Sequence, residues 1–80
     1  IAEMGTSMGY IDMTFSTKTQ VYIFEFKVTQ GPASAIRQIY KKRYYEKFLR
    51  ANKEIICVGI KFDGQNRTIG EWKAEKLQQI

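Results

Sequence analysis

In this chain of 80 residues the side chains best suited to chemistry are two acids and an amine, Asp12, Glu25 and Lys27. The run Val21 to Val28 reads as a strand, which sets Val21, Ile23, Glu25 and Lys27 on one side and Tyr22, Phe24, Phe26 and Val28 on the other. The second side is wholly apolar. The first starts apolar and then presents a carboxylate and an ammonium two residues apart, in a strand hydrophobic enough to be central and covered on both faces. Burying such charges is costly, so either the strand end is wet and the two form a surface ion pair, or they belong to a polar cluster kept for function. Asp12, between Ile11 and Met13 on the preceding run, favours the cluster. A turn centred near Lys18 pairs residues whose numbers sum to roughly 36 or 37, which sets Asp12 opposite Glu25 or its neighbour. Two converging carboxylates with no His or Cys beside them suit a hard cation such as Mg²⁺, bound through a few oxygens and several waters. Lys27 would then position or deprotonate a water, or stabilise charge developing on a phosphate, while the metal supplies Lewis acidity.

Composition narrows the alternatives. The chain has no histidine, which removes a His-based triad, a His general base and His-ligated zinc. Its single cysteine, Cys57, cannot form an internal disulfide and sits between Ile56 and Val58, as a buried inert thiol would. No secretory leader opens the chain, and a reducing, cytoplasmic setting is expected. No apolar run approaches the ~20 residues that a membrane span needs. The net charge is +5, and Arg37, Lys41, Lys42, Arg43, Lys47 and Arg50 concentrate six positive charges, opposed locally by Glu46. A polyanion such as nucleic acid is the natural partner of that stretch; a merely solvated helix face fits it equally well.

The elements that must position these groups are legible as β-β-α-β-β. Tyr10 to Phe15 and Val21 to Val28 form a hairpin across Ser16 to Gln20, with Ile1 to Met4 as an extra strand in front. Gly31-Pro32 stops the second strand and starts a helix. From Ala33 to Ala51 there is no Gly or Pro, and Ile36, Ile39, Tyr40, Tyr44, Phe48 and Leu49 recur at helical spacing, which predicts one long helix of about five turns. Of Tyr40, Tyr44 and Tyr45, two should pack on the sheet and one should be exposed, available to stack on a base. Glu54 to Phe62 is the next strand, Asp63-Gly64 a tight turn, and Arg67 to Lys73 a final strand on which Trp72 packs, followed by a polar tail from Ala74. A helix between two strands is the connection that parallel strands require, so the sheet should be mixed.

The spacing Asp12, Glu25, Lys27 is D-x12-E-x-K, and with it the chain resembles the PD-(D/E)xK nuclease superfamily. Thr6 to Asp12, Tyr22 to Lys27, Ala35 to Ile39, Val58 to Phe62 and Arg67 to Trp72 look like successive motifs of the branch found C-terminal to AAA-ATPase-like domains in bacterial proteins. The resemblance spans nearly the whole chain. It implies an α/β, restriction-endonuclease-like core: one domain over residues 1–80, a mixed four- to five-stranded sheet with one long helix, and an upstream helix missing. It further implies that Asp12 and Glu25 bind Mg²⁺ or Mn²⁺ with help from the Phe26 carbonyl, that Lys27 serves the attacking water, and that Gln38 lines the site. Lys41, Lys42, Lys47 and Arg50 are the expected nucleic-acid contacts, with DNA as the expected partner. Tyr10 stands where the branch usually has Arg, so a phosphate contact beside Asp12 is in doubt, and Glu3 is a weak stand-in for an acid of the upstream helix. A first residue other than Met, and strand-like sequence from the start, read as a segment of a longer chain. An uncovered sheet face would expose apolar surface and permit a homodimer. The alternative function on the same scaffold is a nucleic-acid-binding or protein-interaction module without turnover.

Overall fold

The computed structural model describes residues 2–4 and 13–78, with side chains for 13–78. Five strands come in the order β1 (Ala2–Met4), β2 (Met13–Ser16), β3 (Gln20–Lys27), β4 (Glu54–Asp63) and β5 (Thr68–Lys76), and among the described residues they form one sheet in that same spatial order. The expected front strand is present as β1, antiparallel to β2 with Glu3 opposite Thr14. The β2–β3 turn is closed by Thr17, whose N–H donates to the Gln20 carbonyl at 2.8 Å and whose Oγ1 accepts from the Gln20 N–H at 2.9 Å. It sets Met13 opposite Phe24 and Ser16 opposite Val21, one of the two registers expected from the turn. β3 and β4 are parallel, joined by helix α1 (Pro32–Lys41), and β5 returns antiparallel, so the sheet is mixed as expected.

One face of the sheet is covered. Val21 and Ile23 of β3 and Ile55 and Cys57 of β4 lie on the α1 side and pack with Ile36, Ile39 and Tyr45. Helix and sheet approach closely at Gly59: a Cβ there would stand 2.1 Å from the Pro32 carbonyl oxygen, so only glycine lets the first turn of α1 rest on β4. By strand alternation Phe15, Tyr22, Phe24, Ile60 and Trp72 occupy the other face, where Phe15, Tyr22 and Phe24 are linked by ring contacts at 6.3 Å. Trp72 is 67% exposed, so it does not have the packing role its strand position suggests.

The single long helix is the main correction. α1 ends at Lys41, a reversal follows, and Glu46–Ala51 is a separate 3₁₀ helix. Arg43 adopts φ 56°, its N–H bonds to the Tyr40 carbonyl, and the Tyr44 N–H bonds to the Ile39 carbonyl, the paired hydrogen bonds of a Schellman C-terminus. That position usually carries Gly or Asn; arginine there costs about 1 kcal/mol in backbone strain and leaves no stop signal in the sequence. The reversal buries Tyr45 and leaves Tyr40 and Tyr44 half-buried against the core, so none of the three tyrosines is the exposed one expected. A second left-handed residue, Asn52 at φ 58°, leads into β4. β5 also runs further than expected, to Lys76, and the Leu77 N–H then bonds to the Ile55 carbonyl.

Candidate active site

β3 carries Glu25 and Lys27 on the face that α1 covers, and α1 contributes Gln38 two turns into its length. Glu25 is 3% exposed, which rules out the wet-strand-end reading of the Glu25–Lys27 pair. The Gln38 amide joins them. Its Nε2 donates to Glu25 Oε2 at 2.8 Å, and its Oε1 accepts from the Lys27 ammonium. Reversing that amide would set oxygen against carboxylate and NH₂ against ammonium, so the two charges dictate its orientation. A buried carboxylate and a nearby ammonium are thereby held apart by a neutral bridge, each with a charge-assisted hydrogen bond.

Tyr44 is the member of this cluster that sequence reasoning missed. Its hydroxyl accepts from Gln38 Nε2 at 3.4 Å. In a continuous helix, six residues advance the chain by about 600°, leaving Tyr44 roughly a third of a turn away from Gln38. The left-handed turn at Arg43 brings it back. With Arg rather than Gly at that position, no local signal could have revealed it.

The other expected site residues are distributed as follows. Asp12 and Tyr10 lie outside the described residues, and Glu3 is placed by its backbone register alone. Phe26 is on β3 between Glu25 and Lys27, half-buried on the opposite face. Lys41 and Lys42, both exposed, line a cleft of about 710 Å³ with Ser34, Arg37, Gln38 and Tyr40, so this cleft opens directly beside the amide bridge. Lys47 and Arg50 are exposed on the 3₁₀ helix, beyond the reversal, and the Lys47 ammonium stands 5.4 Å from the Phe48 ring centre. The four cations therefore lie on both sides of the reversal rather than on one helix. Arg43 pairs with Glu46 at 2.9 Å.

The nearest sulfur on the Glu25 face of the sheet, Cys57, is fully buried, and desolvation pushes its thiol up to about 11, which makes it a poor thiolate ligand. Among the described residues no group of three His, Cys, Asp or Glu side chains converges as a ready metal cage. Glu25 is the buried carboxylate of this face, and Asp12, the second expected ligand, lies outside the described residues.

Comparison with known proteins identifies the family. Residues 1–72 match the family model described as PD-(D/E)XK nuclease superfamily. The chain belongs to that superfamily. It is also 36% identical over 77 residues to a protein of Azotobacter chroococcum mcd 1 named "Uncharacterized protein in vnfD 5'region", an alignment covering 94% of this chain and 15% of the relative. No solved structure matches. The chain thus spans a small part of the relative's length. No helix among the described residues is long and apolar enough to cross a membrane.

Proposed function

We propose that this superfamily member is a metal-dependent nuclease domain that hydrolyses phosphodiester bonds of DNA. The observation that carries the reading is the Gln38 amide, which holds a buried Glu25 carboxylate on one side and the Lys27 ammonium on the other. Two buried or half-buried charges bridged in this way are an expensive arrangement for a sheet end that needs only to fold. They suit a site where an anion and a cation must both be recognised.

In this reading Glu25 and Asp12 hold Mg²⁺ or Mn²⁺, with the Phe26 carbonyl as a further oxygen donor. Bound there, the ion supplies Lewis acidity to the phosphate and acidifies a water. Gln38 orients both Glu25 and Lys27 and prevents them from collapsing into a simple ion pair. Lys27, on the solvent side of that bridge, stabilises negative charge on the phosphate or holds the water for attack. The inclusion of Asp12 rests on the sequence spacing D-x12-E-x-K alone. Lys41 and Lys42, in the cleft beside Gln38, are the first candidates to contact the nucleic-acid backbone; Lys47 and Arg50 extend the positive surface on the 3₁₀ helix. A cytoplasmic setting, an attached AAA-ATPase-like domain and a homodimer through the aromatic sheet face opposite α1 complete the proposal.

Cleavage of a supercoiled plasmid tests it. The expected result is nicking that requires Mg²⁺ or Mn²⁺ and falls at least about 100-fold in Glu25→Gln, with the folded circular-dichroism spectrum retained. Metal-dependent cleavage that survives Glu25→Gln, or DNA binding with no cleavage under any divalent ion, would overturn it, and the second outcome would favour the non-catalytic binding module.

A further inference from the structure

Beside Lys27 stands a second lysine that neither the E-x-K motif nor the basic helix includes. The parallel ladder of β3 and β4 pairs Lys27 with Lys61. Residues paired in this way point to the same face, as Val21 with Ile55 and Ile23 with Cys57 do beneath α1. The Cα atoms of such a pair are about 4.8 Å apart, so two ammonium stems rise side by side at the C-terminal ends of the two central strands. Like charges directly opposite each other are unfavourable in a sheet unless something anionic lies between them.

Among the described residues, the carboxylates nearest in sequence and register form no ion pair with Lys61. Asp63 accepts from the backbone N–H groups of Gln65 at 3.0 Å and Asn66 at 3.2 Å, and from Asn66 Nδ2 at 2.8 Å. These bonds, the Asn66 side chain first, hold its carboxyl below the usual range and occupy it in the β4–β5 turn, with the Lys61 charge as the smallest contribution. Glu71 is opposite Lys61 on β5, next to the bulge at Lys61/Phe62, yet among the described residues Lys61 forms no ion pair with it. Glu25 is engaged by Gln38, and Lys27 itself donates to the neutral oxygen of that amide. Lys61 instead lines an open cleft of about 650 Å³ with Val28, Phe62, Asp63 and Glu71, at the same end of the sheet as Lys27.

We propose that Lys61 is a second phosphate-binding residue of this site, and that a DNA phosphodiester is held between the Lys27 and Lys61 ammonium groups through its two non-bridging oxygens. Such a phosphate is monoanionic and offers one oxygen to each donor. The inference deepens the nuclease reading and rests on nucleic acid as the ligand, though not on turnover.

Its test is equilibrium binding of a fluorescein-labelled 20-base-pair DNA duplex across a range of salt, without divalent ions. The variants are Lys61→Gln, Lys61→Arg and, as a distant control in the β2–β3 turn, Lys18→Gln. Loss of one phosphate contact should lower the slope of log affinity against log salt by about 1 in Lys61→Gln. Lys61→Arg should restore the slope, Lys18→Gln should leave it unchanged, and circular dichroism should show all three folded. An unaltered slope in Lys61→Gln with wild-type binding intact would overturn the role of Lys61 alone. Absence of salt-dependent DNA binding by the unmodified chain would remove the nucleic-acid reading with it.

Discussion

The same trio of residue types, Gln, Glu and Lys, is assembled at each end of the β3–β4 pair, and the two assemblies differ chiefly in burial. At one end Gln38 donates to Glu25 and accepts from Lys27, beneath α1. At the other, Gln20 Nε2 donates to Glu54 Oε1 at 2.8 Å while the Lys76 ammonium lies 3.2 Å from Glu54 Oε2, on the face opposite α1. Glu25 is 3% exposed, whereas the Lys76 side chain is 68% exposed. Water can replace either partner of Glu54 at little cost, so that trio is an ordinary surface ion pair with a hydrogen bond added. Around Glu25 water is excluded, and each interaction is stronger while each missing partner is more damaging. Identical chemistry thus becomes a candidate site at one end and decoration at the other.

The largest effect expected from this contrast is on activity. Glu25→Gln should abolish metal-dependent cleavage, whereas Glu54→Gln should leave it within about twofold, as plasmid nicking rates will show. Stability should separate the two ends next. Replacing Gln38 by Leu strips the bridge from two charges under α1 and should cost about 2 kcal/mol, against at most about 0.5 kcal/mol for Gln20→Leu. Urea unfolding followed by circular dichroism measures both; equal losses would mean that burial does not distinguish them.

Alkaline pH probes the covered face independently. Desolvation raises the Cys57 thiol from its ordinary 9.0 to about 11, so the unfolded chain gives up that proton first. The stabilisation is complete below the unfolded value and is lost as pH rises through the window between the two, by roughly 2–3 kcal/mol. Cys57→Ala should flatten that part of the stability–pH profile. The smallest effect belongs to the exposed trio. The hydrogen bond from Gln20, and then Lys76, keeps the Glu54 carboxyl below its usual range, so its contribution is present above the unfolded value and fades as pH falls through the folded one. The difference between wild type and Glu54→Gln in acid should be small and should shrink further in high salt.

Much of this architecture was legible. The alternation of Val21 to Lys27 identified both faces of β3, and the turn after Ser16 limited the β2–β3 register to two choices, of which the structure adopts one. The need for a crossover between β3 and β4 gave their parallel pairing. Cys57, singled out by its apolar neighbours, is fully buried. The helix was overextended because Ile39, Tyr40, Tyr44 and Phe48 keep helical spacing across a reversal made at an arginine. Tyrosine exposure failed with it, since Tyr44 and Tyr45 lie beyond the break. Trp72 was assigned a packing role from its strand, but it is 67% exposed.

The amino-acid order by itself determined the strand faces, the hairpin register to within one residue and the presence of an acid and an amine on one side of a central strand, because these depend on local periodicity and turn chemistry. Only the tertiary structure decided that this side is the one α1 covers, that the helix ends at Lys41, and that Gln38, Tyr44 and Lys61 gather around Glu25 and Lys27. Those outcomes depend on contacts between residues far apart in the chain, where burial sets the energy of every polar group and no neighbouring sequence records it.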